Sequence, residues 1–214
     1  MQKAIAFLLS LSILLPLIAG LVRYRKIPAS YHPLLYLIGI GFVNEVLCYA
    51  IFYNNSMIPV NIYYICEFLL FAWQFHLWKN ILRSKKIFYT LIGLMTVFWI
   101  VDKVVICGFT RFSPLFQVCY SLILVLLSVN QLNWLIVNDR GDIVRHPIFI
   151  ICISVIIFFS YKVLTEIFYY YAPEKAIKNN IFVIQSYMNV GYNILLALAI
   201  LCIPQKRTFT LPLR

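Results

Sequence analysis

Acidic side chains are scarce in this chain, at seven Asp and Glu in 214 residues, and charged residues of both signs make up only 12%. Ordinary soluble proteins carry roughly a quarter charged residues and about 45–50% apolar ones. Here 63% are hydrophobic, and the mean hydropathy is +0.89. So few charges cannot hydrate a globular surface of this size, which excludes a soluble domain. The apolar excess needs lipid to cover it, and the expectation is one integral membrane domain over residues 1–214.

Catalytic signatures are also missing. The chain has no GxSxG, P-loop, GxGxxG or HExxH. Its six cysteines, Cys48, Cys66, Cys107, Cys119, Cys152 and Cys202, form no CxxC and no Cys/His ligand spacing. They read as small apolar packing residues. The three histidines, His32, His76 and His146, fall at the ends of hydrophobic runs with no HxxxH between them. They read as interfacial residues rather than a zinc site. No metal and no cofactor are expected.

What the chain does have is long apolar runs. A helix needs about twenty apolar residues to cross the hydrocarbon, and backbone groups in lipid must bond within their own segment. Seven spans are predicted, at 4–22, 34–53, 61–79, 87–107, 114–137, 147–172 and 181–203. Pro33, Pro114 and Pro147 mark entries, where a missing N–H costs nothing. The first run is about twenty residues long and is followed by RYRK rather than a small-residue cleavage site. It reads as a retained helix.

The net charge of +11 would suit nucleic acid, but its distribution does not. Arg23, Arg25, Lys26, Lys79, Arg83, Lys85, Lys86, Arg140, Arg145, Lys206, Arg207 and Arg214 all fall on one side of the predicted topology. Lys3, Arg111, Lys175 and Lys178 fall on the other. The positive-inside rule makes the first side cytoplasmic, which puts the N-terminus out and the C-terminus in. No nucleic-acid partner is expected. Short loops and many aromatics suggest a bacterial cytoplasmic membrane.

An internal repeat also shows. His32-Pro33 and His146-Pro147 each open a span, a buried glutamate follows (Glu45, Glu166), and the next spans begin NIYYICE and NIFVIQS. A 3+1+3 parallel duplication would place a site at the repeat interface. The match is imperfect, because His-Pro to Glu covers thirteen residues in one half and twenty in the other.

The acids within spans are Glu45, Glu67, Asp102 and Glu166. At about 1.5 Å per residue they all lie roughly 8–12 Å below the outer surface. Lys103 and Lys162 share that half of the membrane. Intramembrane ionisable residues usually face a bundle interior or a wet cavity. The expected polar pocket is Glu45, Glu67, Asp102, Lys103, Lys162, Glu166, Asn44, Gln185 and Asn189. Gln117, Tyr120, Ser121 and Ser186 stand nearby, and Tyr63, Tyr64 and Tyr169 to Tyr171 could form a mouth. Adjacent residues on a helix point about 100° apart, so Asp102 and Lys103 are expected to find separate partners: Lys162 for Asp102, and Glu45, Glu67 or Glu166 for Lys103. A purely structural reading stands beside this one. Lys162 and Glu166 are spaced i, i+4 and could pair on their own helix, and the tyrosines could be an interfacial belt.

The chain resembles rhodopsins and sugar-transporting seven-helix proteins in helix number and orientation, and its intramembrane acids look like those of small multispan lipid hydrolases. It shares no residue motif with any of them, and the last span lacks the lysine of a retinal Schiff base. The favoured expectation is a binding or sensing module. A small molecule or proton would enter from outside and act through a membrane protein partner. A proton-coupled transporter, a lipid hydrolase with two carboxylates and a structural subunit are the alternatives.

Overall fold

The computed structural model describes residues 9–51, 57–78, 82, 84–106, 108–109, 114–138, 142–171 and 175–205, and for 169–171, 175–180 and 182 the backbone alone. Residues 4–8 of the first predicted span, eight of the topology-setting charges (Lys3, Lys79, Arg83, Arg111, Arg140, Lys206, Arg207 and Arg214), Cys107 and the side chains of Tyr169 to Tyr171 lie outside the description.

The described residues are helical, with no strand among them. Helix α1 is Leu14–Arg23, entered through a 3-10 turn at Leu11–Ile13. The others are α2, His32–Ala50; α3, Met57–Leu77; α4, Lys85–Ile100, running on into a π-turn at Val101–Ile106; α5, Pro114–Asn138; α6, Pro147–Tyr171; and α7, Lys175–Cys202. Six of these, α2 to α7, are long and apolar enough to cross a membrane. The described part of α1 has ten residues. The chain is thus a multi-pass, all-helical membrane protein. Its lipid-facing surface is made by outward residues such as Val22, Leu94, Val105, Leu126 and Val137.

Four helix starts extend beyond the hydropathy limits. α2 begins at His32 rather than 34, α3 at Met57 rather than 61, α4 at Lys85 rather than 87, and α7 at Lys175 rather than 181. A helix continues through polar residues at its ends as long as its hydrogen bonds are met, whereas hydropathy registers only the hydrocarbon-crossing part. Gln74 of α3 shows how one start is met. Its Oε1 accepts from the Leu34 N–H at 3.1 Å, behind Pro33 in the first turn of α2. Its Nε2 donates to the Ser30 carbonyl.

Six helices close a ring. α1 packs on α2 and α7, α2 on α3, α3 on α5, α5 on α6, and α6 on α7. α4 stands outside the ring, against α3 and α5. Only 17% of its most apolar stretch is buried, against 50% for α6, which makes α6 central and α4 peripheral. Without a hydrophobic drive in lipid, such contacts rest on close packing. Gly20 is one example, since a Cβ there would come within 2.8 Å of Leu35 Cδ2 on α2.

Arg23 closes the ring between α1 and α7. Its guanidinium donates to the carbonyls of Ile200 at 2.6 Å, Leu201 at 2.5 Å and Ile203 at 2.9 Å. These carbonyls stand at the C-terminal end of α7, where acceptors lack an intrahelical N–H of the next turn, and a cation there also complements the helix dipole. Hydrogen bonds to charged groups contribute about 1.5–3 kcal/mol. Arg23→Ala should therefore lose about 2 kcal/mol of stability in an SDS titration of mixed micelles. Arg23→Lys should recover less than half of that, because an ammonium lacks the planar fork.

Candidate functional site

Helical spacing puts the polar side chains on the inner faces of the ring. On α6, Lys162, Thr165 and Glu166 are spaced i, i+3, i+4. On α7, Gln185, Asn189, Tyr192 and Leu196 follow at steps of four, three and four. On α2, Gly41, Asn44, Glu45 and Cys48 are spaced i, i+3, i+4, i+7. All of them line one cavity of about 650 Å³, together with Tyr63, Tyr64 and Glu67 of α3, Gln117 of α5 and Ser10 and Ile13 ahead of α1. Every ring helix contributes or is flanked by a lining residue, and α4 contributes none. The lining reaches Tyr49, Met57 and Ile181, so the cavity opens towards the end of the bundle opposite Arg23.

Seven of the nine expected pocket residues therefore meet: Asn44, Glu45, Glu67, Lys162, Glu166, Gln185 and Asn189. Asp102 and Lys103 do not line this cavity, because they belong to α4. Both are buried and ion-paired to each other, with Lys103 Nζ 3.3 Å from Asp102 Oδ2. The expectation that they would seek Lys162 and a glutamate on other helices is corrected here. They lie in the π-turn, whose i→i+5 bonding widens the helix and turns both side chains inward.

Lys162 pairs instead with Glu67, Nζ to Oε2 at 3.4 Å. It also donates to the Tyr120 hydroxyl at 2.6 Å, and Tyr120 in turn donates to the same Glu67 oxygen at 2.7 Å. Tyr63, one turn before Glu67, donates to Oε1 at 3.2 Å. The ammonium lies 4.6 Å from the centre of the Tyr64 ring, 5.2 Å from Tyr120 and 5.3 Å from Phe159. Each ring adds a cation–π attraction, strongest where water is absent. Both oxygens of Glu67 are thus engaged, and this pair is framework.

The other two glutamates have neutral partners. Glu166 Oε1 accepts from Gln117 Nε2 at 2.6 Å, and the Lys162 charge acts on it through space. Glu45 accepts from the Ser10 hydroxyl. Thr165 Oγ1 lies 3.0 Å from Gln185 Oε1, and Asn44 Oδ1 lies 3.8 Å from Cys48 Sγ. Ser186 lines the wall. Ser121 is buried but does not reach it.

One turn towards the Arg23 end, the interior is apolar. Leu37, Ile38, Phe71, Leu124, Phe158, Phe159 and Leu196 are all buried and form a floor. Phe71 and Phe159 meet edge to face with centroids at 5.7 Å, and Phe158 stacks on Tyr192 at 4.3 Å. Ser128 and Gln131 lie beyond this floor on α5.

The three histidines go to separate places. His32 stacks on Tyr24 at 5.2 Å. His76 bonds the Leu82 carbonyl through Nδ1 and stacks on Phe88 at 4.3 Å. His146 Nδ1 accepts from the Ile148 N–H at 3.2 Å.

Sequence reading missed Ser10, Thr165 and Tyr192. Thr165 and Tyr192 were recoverable, because each continues a three-four spacing from a residue already chosen. Ser10 was not, since its approach to Glu45 depends on how α1 packs. No protein-family model, curated protein or solved structure matches this chain.

Proposed function

We propose that the chain is a seven-helix membrane protein, N-terminus out and C-terminus in, that binds a small polar ligand in the cavity and conveys its occupancy to a membrane partner. The cavity carries this reading. It combines a ligand-sized volume with two glutamates, Glu45 and Glu166, that are not spent on a cation of the framework. The asymmetry of Lys and Arg supports the orientation. The apolar floor favours binding over transport, since it separates the cavity from Ser128 and Gln131. Engagement of Glu67 by Lys162 leaves a two-carboxylate hydrolase less support.

The packing order supports the 3+1+3 duplication. Exchanging α1, α2, α3 with α5, α6, α7 maps every ring contact onto another, including α3 on α5 onto α7 on α1. Glu45 lies five residues before the end of α2 at Ala50, and Glu166 five before the end of α6 at Tyr171. The unequal distances from the His-Pro pairs reflect helices of 19 and 25 residues, with the extra turns at the Arg23 end. The cavity would then lie where the two halves meet.

Thiol accessibility tests the reading. With the six native cysteines replaced by alanine, Asn189→Cys should react with a membrane-impermeant cationic methanethiosulfonate added outside intact cells, and Ser128→Cys should not. Failure of Asn189→Cys to react, or equal reaction of Ser128→Cys, would remove the outward cavity.

A further inference from the structure

Two oxygens buried in the cavity wall lack hydrogen-bond partners. Gln117 is buried and lines the wall, and its Oε1 has no hydrogen-bond partner. Tyr192 is 92% buried and also lines the wall, and its hydroxyl has none either. Glu45 and Glu166 each offer further lone pairs, since a carboxylate accepts up to about four hydrogen bonds. An amide oxygen and two carboxylates suit a guest that brings N–H donors, and a phenol hydroxyl can accept from such a guest as well.

Charge points the same way. Among the described side chains, three carboxylates line the cavity against one ammonium, that of Lys162. The wall already shows that it can hold an ammonium, because Lys162 Nζ lies 4.6 Å from the centre of the Tyr64 ring and 5.9 Å from that of Phe158, and both rings line the cavity. Tyr63, Phe158 and Tyr192 offer further rings around the space. Acceptors beside aromatic faces suit an organic ammonium better than a bare metal ion, which wants a tight shell of oxygens.

We propose that this cavity binds a small organic ammonium ion, with its N–H groups on Glu45, Glu166 and the Gln117 oxygen and its carbon skeleton against the tyrosines. The proposal rests on the cavity-binding reading above and names its ligand class. Free amines and the headgroup of phosphatidylethanolamine share this chemistry.

The test uses the full chain in dodecylmaltoside and follows thermal unfolding and calorimetric titration with putrescine, phenethylamine, glutamate and glucose. Putrescine or phenethylamine should raise Tm and give saturable heat. Glu45→Gln and Glu166→Gln should each weaken that binding at least tenfold. Tyr192→Phe, which keeps the ring, should weaken it several-fold while leaving the ligand-free Tm within a few degrees. If the headgroup is the source, nanodiscs of phosphatidylethanolamine should raise Tm above nanodiscs of phosphatidylglycerol, and Glu166→Gln should erase the difference. Binding of glutamate or glucose but no amine would overturn the ammonium assignment and leave the cavity reading standing. No shift with any amine or with phosphatidylethanolamine, while Asn189→Cys is labelled, would overturn it as well. An equal shift from potassium chloride at matched ionic strength would mark simple screening and also overturn it. Loss of both binding and labelling would sink the two readings together.

Discussion

Lys162→Met should be the most damaging single change in the bundle, at about 3–5 kcal/mol, the usual cost of removing one partner of a buried ion pair. The arrangement explains the size. Glu67 is only 3% exposed, and its Oε2 would lose the ammonium at 3.4 Å. Tyr120 would lose the donor at 2.6 Å that fixes its hydroxyl for Glu67. Four rings, those of Tyr64, Tyr120, Phe158 and Phe159, would lose their cation at once. Buried as it is, the stranded carboxylate would have little hydration to offset the loss. Glu67→Gln in the same chain should restore most of the loss, because an amide keeps the tyrosine bonds without the charge. An SDS titration in mixed micelles separates the three proteins. A single mutant that costs no more than about 1 kcal/mol, or a double mutant no better than the single, would show that the pair is not framework.

That pairing also shows what the sequence could and could not reveal. Hydropathy found the helices that cross the membrane, since crossing depends on a run of residues and not on neighbours. That Glu45, Glu67 and Glu166 could share one cavity was legible for the same reason, because rise per residue is local. Which helices touch is not local. Rise per residue puts Asp102 in the same group, yet it faces a different neighbourhood, because α4 packs outside the ring. Its pairing with Lys103 depended on a π-turn that neither periodicity nor hydropathy reports. The division of labour among the glutamates was equally hidden. Glu67 and Glu166 look alike in sequence, and only packing gives the Lys162 ammonium to one and the Gln117 amide to the other.

Phe159→Ala should cost about 3–5 kcal/mol, the range for truncating a fully buried aromatic side chain, and it should also change what the cavity connects to. Phe159 is completely buried at the middle of the floor. It lies edge to face with Phe71 at 5.7 Å, with Tyr120 at 6.0 Å and with Tyr192 at 6.5 Å. Lost packing is the whole of the penalty in lipid, where water is not waiting to refill an apolar gap. Yet this gap would join two polar regions. On one side stand Lys162 and Glu67, and on the other Ser128 and Gln131, both buried on α5. A passage between them would give water its polar partners along the way. Ser128→Cys should then become reactive from the outside in the Phe159→Ala background, while staying protected behind the native phenylalanine. Phe159→Leu, which keeps most of the volume, should keep the protection and lose less than half the stability. Reactivity of Ser128→Cys in both backgrounds would mean that the floor does not seal the cavity and that the transporter reading gains ground. Protection in both would mean that Leu124 and Val155, each fully buried alongside, hold the seal without it.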